Sequence, residues 1–156
     1  MEENEKKLVV AYGCDHGGYP YKEQVIKHLK ERGYEVIDCG TYSKESCNYP
    51  EPAIKTAEMV ASKKADYGVL VCNTGEGVSI SANKVKGIRC GIAYTDEVTQ
   101  LLMAHNHCNM IAFGSMFMTL EDVLRRIDIF FNSTPNGGRH ERRVQMIIDY
   151  ENAHQK

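Results

Sequence analysis

The chain has 156 residues, 42% hydrophobic and 26% charged, which is enough apolar material for one domain whose core needs no disulfide staples. A formal net charge of −2 gives no pull toward nucleic acid or an anionic membrane, so any anionic ligand must be held by local groups. No apolar run approaches the ~18 residues of a membrane span, and the lead-in MEENEKK lacks a signal-peptide pattern. The six cysteines contain no CxxC pair, so reduced thiols in a cytoplasmic protein are expected.

In chain order, a polar lead-in (1–7) precedes LVVAY (Leu8–Tyr12), which reads as a first strand and enters the turn GCDHGG. Pro20 suits the first turn of a helix, where its missing N–H goes unnoticed. That helix carries Val25, Ile26 and Leu29 at helical spacing and closes at Gly33. YEVID (Tyr34–Asp38) is a second strand. Pro50–Lys63 reads as a helix with Ile54, Ala57 and Val60 on one face. YGVLVC (Tyr67–Cys72) is apolar throughout, as a strand covered on both faces should be.

A helix follows the turn after Cys72, and GIRCGIAY (Gly87–Tyr94) gives a fourth strand. Thr95, with Asp96 and Glu97, caps a helix to about His105. NMIAFG (Asn109–Gly114) is the fifth strand. Thr119 and Asp122 form a capping box for a helix through Phe131. After PNGG, a last helix within 137–156 should carry Val144, Ile147 and Ile148. This alternation predicts a single-domain (1–156), three-layer α/β/α Rossmann-like fold with a five-stranded parallel sheet. Ligands of such sheets bind outside the carboxyl ends of the strands. Cys14, Asp15, His16, Asp38 and Cys72–Gly77 all fall at that edge.

The turn CNTGEG (Cys72–Gly77) fits two readings. It is either a plain connector or a nest of backbone N–H groups for an anion, helped by the positive end of the next helix. It is neither a Walker A loop nor GxGxxG, which disfavours nucleotide chemistry. Cys72 is either a small core hydrophobe or a thiol whose place at a helix N-terminus favours the thiolate. Asp15 and His16 form either an Asx turn with a solvated histidine or a polar corner of a ligand site. The pair His105 and His107 is too small a donor set for zinc, so no metal site is expected. One of the two fits an acid/base role at the pocket, with the other solvated. Arg139 and Arg143, at i and i+4 on one helical face, are either a solvated basic turn or a clamp for phosphate.

Taken in order, GCDHGG, DCGTYS…NYP (Asp38–Pro50), CNTGEGVSISANK, GIRC, HNHCN, AFGS and GGRHERR resemble the type B ribose-5-phosphate isomerases, with the allose- and galactose-6-phosphate isomerases in the same family. The resemblance covers almost the whole chain. It implies a cofactor-independent aldose–ketose isomerase of carbohydrate metabolism, in the pentose phosphate pathway, with Cys72 as general base. His105 would open the sugar ring, assisted by Thr74. Asp15 would meet sugar hydroxyls and Tyr49 would line the pocket. His16, Arg139 and Arg143 would hold the phosphate. Asn73, Gly75, Glu76 and Gly77 would supply the donor nest, with no separate role for the Glu76 carboxylate.

The family also implies a homodimer or tetramer in which His105 and Asn106 come from a neighbouring subunit. Asn48, Asn73 and Met116 depart from its pattern, where aspartate, glycine and arginine are usual. Met116 and Asn73 motivate one alternative, isomerisation of a six-carbon sugar phosphate, and a non-catalytic sugar-phosphate-binding homologue is another.

Overall fold

Why the helical and strand patterns settle as they do is visible in a computed structural model, which describes residues 6–155. The first five residues of the polar lead-in, and Lys156, lie outside the described residues. The elements run β1 (Val9–Cys14), α1 (Tyr19–Glu31), β2 (Glu35–Asp38), α2 (Pro50–Ala61), β3 (Tyr67–Cys72), α3 (Glu76–Asn83), β4 (Cys90–Ile92), α4 (Asp96–Ala104), β5 (Met110–Gly114), α5 (Leu120–Phe131) and α6 (Arg139–His154). All five strands are parallel, in the order β2-β1-β3-β5-β4. This is the expected α/β/α architecture.

Alternation along the central strands sorts the core into two halves. Val10 and Tyr12, Val69 and Val71, and Ile111 and Phe113 pack with Val25, Leu29, Leu102, Ile127 and Phe130 under α1, α4 and α5. Leu70, Cys72, Met110 and Ala112 face Ala53, Ala57, Val60, Val78 and Ala82 under α2 and α3. Cys72 therefore belongs to the α2/α3 side. The caps read from the sequence are present. Thr95 Oγ1 accepts from Val98 N at 3.0 Å, and Thr119 and Asp122 form a reciprocal capping box.

Three expectations need correction. The fourth strand shrinks from Gly87–Tyr94 to Cys90–Ile92 because Asn83 occupies its outer edge, accepting from Cys90 N and donating to Cys90 O. A short edge strand closed by a side chain is a common way to block unwanted pairing. In α2 the buried face is Pro52, Ala53, Thr56, Ala57 and Val60, and Ile54 points outward. In α6 only Val144 is buried, whereas Ile148 is half-buried and Ile147 is exposed. Asp38 ends β2 at the carboxyl edge as expected, but its carboxylate is engaged within the fold, pairing with Lys22 Nζ at 2.7 Å and accepting from Gly40 N.

The α1–α5 contact is held by one carboxylate. Asp128 accepts from His28 Nε2 at 2.9 Å and takes a two-point contact from Arg32 at 3.0 and 3.1 Å. Partial burial pushes the Asp128 carboxyl up, but the hydrogen bonds and charges of Arg32 and His28 together outweigh it and leave it below its ordinary value. A carboxyl lowered by folding stabilises the native state above its unfolded pKa of ~3.9, and that contribution is lost as pH falls through the folded value. Asp128→Ala strands the buried His28 ring, and we expect a loss of about 1–3 kcal/mol at pH 7. Urea titrations at pH 7 and pH 3 check this: the gap between variant and wild type should narrow in acid.

Candidate active site

The sheet order places a switch point between β1 and β3, because α1 carries the chain to one side of β1 while β3, β5 and β4 lie on the other. The crevice outside these two strands is where open parallel sheets take ligands. Three turns meet there and are stitched together. Asp15 N donates to Val71 O, Ser115 N to Cys72 O at 2.8 Å, Met116 N to Asn73 O at 3.0 Å, and Ser115 Oγ to Gly17 O at 2.7 Å. Asp15 forms the Asx turn, its Oδ1 accepting from Gly17 N and Gly18 N, and is itself buried. His16 is not simply solvated. Its Nδ1 accepts from Cys47 N at 3.2 Å, which leaves the proton of the neutral ring on Nε2.

Cys72 ends β3 with 5% of its surface exposed. Its Sγ accepts the Gly75 N–H at 3.1 Å, and Gly75 adopts φ 85°, the left-handed region, as N-cap of α3. A glycine N-cap offers the helix no side-chain cap. The sulfur thus sits beneath the positive end of α3 with one amide donor on it. Thr74 Oγ1 accepts from Glu76 N at 3.1 Å, which leaves its hydroxyl proton free to donate. Asn73, Thr74 and Glu76 are exposed. Tyr49 lies over Gly77 so closely that a Cβ there would come within 2.6 Å of the ring. The carboxyl edge thus gathers Asp15, His16, Tyr49, Cys72, Asn73, Thr74, Gly75, Glu76 and Gly77.

His105, Asn106, Arg139 and Arg143 lie elsewhere. Helices of such a sheet run against the strands, so α4 ends at the amino edge. Gly68 N, at the start of β3, donates to Asn109 O just after the HNHC turn. Cys72 is four residues further along that strand, about 13 Å away at ~3.3 Å per residue. On the amino edge the His105 and His140 rings stack, with centroids 3.8 Å apart and planes 7° off parallel. Burial and the neighbouring His105, Arg139, Arg143 and His107 hold the His140 imidazole below its usual value. His107 is not solvated as expected: its Nε2 donates to Asn136 O at 2.9 Å.

Sequence reasoning passed over three residues here. Arg89 donates to the carbonyls of Asn106 and His107, the shortest bond being 2.7 Å, and so holds the turn carrying His105. Ser115 ties the β5 turn to the β1 turn. His140 was noticed only as the residue between two arginines. No pattern marks a guanidinium that will bind carbonyls, and a ring stack joins residues far apart in sequence.

Burial pushes the thiols of Cys14 and Cys108 up to about 11 and that of Cys90 up to about 12, and it raises Cys39 as well. Those four are packing groups, neutral at physiological pH. Two surface grooves of about 500 and 480 Å³ follow the open edge of β4 and meet at Cys90, Gly91 and Leu102. One reaches Thr74 and Glu76, and the other reaches Asn106, Ile147 and Tyr150. A roomier groove of about 890 Å³ along α1, with Lys22, Lys27, Lys30 and Lys44 in its lining, contains none of the candidate site residues.

A parallel α/β protein with a thiol beneath a helix N-terminus at its switch point is suited to a small anionic substrate. The chain belongs to the family described as Ribose/Galactose Isomerase, whose model matches residues 10–147. It is 43% identical over 142 residues to ribose-5-phosphate isomerase B of Escherichia coli strain K12, covering 91% of this chain and 95% of that one. The Clostridium thermocellum ribose-5-phosphate isomerase B superposes with a TM-score of 0.92 at 39% identity, over 95% of this chain and 100% of that one. The Mycoplasma genitalium enzyme with bound ribulose-5-phosphate superposes at 0.89 with 32% identity, over 93% and 97%.

The nest predicts its own sensitivity. Gly75→Ala forces a side chain into the left-handed region and sets a Cβ 3.1 Å from the Phe113 backbone. The expected cost is about 1–2 kcal/mol or more. Denaturant titration would measure that loss, and the rate of iodoacetamide labelling at Cys72 should change as the Gly75 N–H leaves the sulfur.

Proposed function

We propose that this protein interconverts ribose 5-phosphate and ribulose 5-phosphate through an enediolate, as a cofactor-independent aldose–ketose isomerase. The observation that carries the reading is the Cys72 sulfur, set at the switch point beneath the N-terminus of α3 with the Gly75 N–H on it at 3.1 Å. Isomerisation needs a base beside a carbonyl-activated C–H and donors where the oxyanion develops, and this turn offers both.

The sugar enters as a closed furanose. His105, assisted by the Thr74 hydroxyl, exchanges protons so that O1 loses one as the ring oxygen gains one, and the chain opens. The Cys72 thiolate then removes the C2 proton, and the electron pair moves to the C1 carbonyl to give the enediolate. N–H groups from Asn73 to Gly77 hold its charge. The thiol returns the proton to C1, and the hydroxyl proton on O2 transfers to O1, completing the ketose. Asp15, through its second carboxylate oxygen, and Tyr49 hold sugar hydroxyls; Asn106 adds a polar contact, and Glu76 lies at the rim. His16, through Nε2–H, joins Arg139 and Arg143 on the phosphate, through charge-assisted bonds of ~1.5–3 kcal/mol each.

Because His105, Asn106, Arg139 and Arg143 sit on the opposite edge from Cys72, the working unit is a homo-oligomer built on a two-fold pair. An isologous contact sets the amino edge of each copy against the carboxyl edge of the other. The grooves along β4, with exposed Tyr94 and Phe117 at one end and Ile147 and Tyr150 at the other, support such a contact. A cytoplasmic location fits the unpaired thiols and a phosphorylated substrate. No helix among the described residues is long and apolar enough to cross a membrane.

Steady-state rates on ribose 5-phosphate and allose 6-phosphate test the substrate. A clear preference for the six-carbon sugar would replace this assignment, and failure to exchange solvent deuterium into either would reduce the protein to a binder. Cys72→Ala should lower kcat by about 10²–10⁴-fold, with ribose 5-phosphate affinity by calorimetry little changed. Mixing inactive Cys72→Ala and inactive Arg139→Ala proteins tests the shared site. Random reassortment yields half mixed dimers, each with one intact site, so roughly a quarter of wild-type activity should return. A site contained in one chain would return none.

A further inference from the structure

We propose that His140 is a positioning residue for ring opening: it is the flat platform that sets the plane of the His105 imidazole. The inference rests on the reading in which His105 opens the furanose. The two rings stack at 3.8 Å with only 7° between their planes. Among the described residues no hydrogen bond fixes the His105 ring, so this stack is what restrains its rotation. The contact is itself braced. Asn136 N donates to Ala104 O at 2.8 Å, and His107 Nε2 donates to Asn136 O at 2.9 Å. Arg89 holds the carbonyls of Asn106 and His107. The start of α6 is therefore pinned over the end of α4, and His140 arrives on His105 in one orientation.

Charge fits the same role. His105 and His107 face His140 from the α4 turn, and Arg139 and Arg143 from its own helix. The link 132–138 that packs beside it carries no titratable side chain. Partial burial and these cationic neighbours favour the neutral ring, and a neutral platform sets no like charge against a proton carried by His105. His140 thus orients the acid/base group without competing for its proton.

The two directions of the reaction separate this role from general damage. Ribose 5-phosphate starts as a closed furanose. Ribulose 5-phosphate is open-chain, since its O5, the oxygen that would close a five-membered ring, carries the phosphate. Exchange of solvent deuterium into C1 of ribulose 5-phosphate therefore needs Cys72 and the nest but no ring opening.

His140→Ala should slow conversion of ribose 5-phosphate on the order of ten- to a hundredfold in kcat, with KM changed less than about threefold, while exchange into ribulose 5-phosphate stays near wild type. His140→Phe, which keeps an aromatic platform that cannot titrate, should recover most of the lost rate. Equal losses in both assays, an unimpaired Ala variant, or a Phe variant as slow as Ala each overturn the proposal. No exchange even in the wild-type enzyme overturns the isomerase reading itself, and this inference with it.

Discussion

All five strands point the same way, and the placement of every chemical group in this protein follows from that. In a parallel ladder each strand hands its carboxyl end to a turn, and each helix must run back before the next strand begins. The turns after β1 and β3 are thereby forced side by side, which brings Asp15, His16 and Cys72 together. The same rule sends the end of α4, with His105 and Asn106, to the other edge, and α6 begins beside it. No loop rearrangement within one chain exchanges these edges, because strand direction is fixed by the hydrogen-bond ladder. Division of the reacting groups between two edges makes pairing of copies part of the chemistry as proposed.

Within the carboxyl edge, close approach of backbones decides what Cys72 can do. The Thr74 backbone lies against Gly114, and the Asn73 side chain lies against Gly17, both too close for a Cβ between them. These contacts bend the turn tightly enough for the Gly75 N–H to reach back to the sulfur. The other buried thiols show the contrast. Burial pushes Cys14, Cys90 and Cys108 to about 11, 12 and 11 despite the polar neighbours some of them have, so they remain neutral packing groups. Cys72 lies at the N-terminus of α3, with the Gly75 N–H on its sulfur at 3.1 Å.

Much of this was legible in the sequence. Strand three was readable to the residue because a strand buried on both faces is continuously apolar, and two helix starts were readable because Thr95 and Thr119 cap through local hydrogen bonds. Ile54 and Ile147 misled because apolar periodicity marks a face without saying what will cover it. For Ile147 that cover, as proposed, is a second copy. The fourth strand was overestimated because Asn83, seven residues away, takes its edge. Among site residues, the nest and the i,i+4 arginines were local patterns and could be read. Whether Arg139 and Cys72 share an edge was not, since that depends on helix direction across the whole sheet. The His105–His140 stack was hidden for the same reason.

The separation also has a consequence for how the charge is kept apart. A phosphate dianion close to a thiolate would oppose the charge that the base must carry before it takes a proton. The proposed arrangement gives the phosphate its own guanidinium pair on one copy, while the thiolate has the α3 N-terminus and the Gly75 amide on the other. Two anionic groups are thus stabilised by different donors, and the enediolate between them draws on the amide nest. The net charge of −2 is compatible with an anionic substrate because each positive field is local: one is built from backbone dipoles, the other from side chains of α6. Backbone donors suit the transient oxyanion because they need no reorganisation as the charge appears. Long, solvent-exposed arginines suit the phosphate, whose charge is the same before and after the reaction.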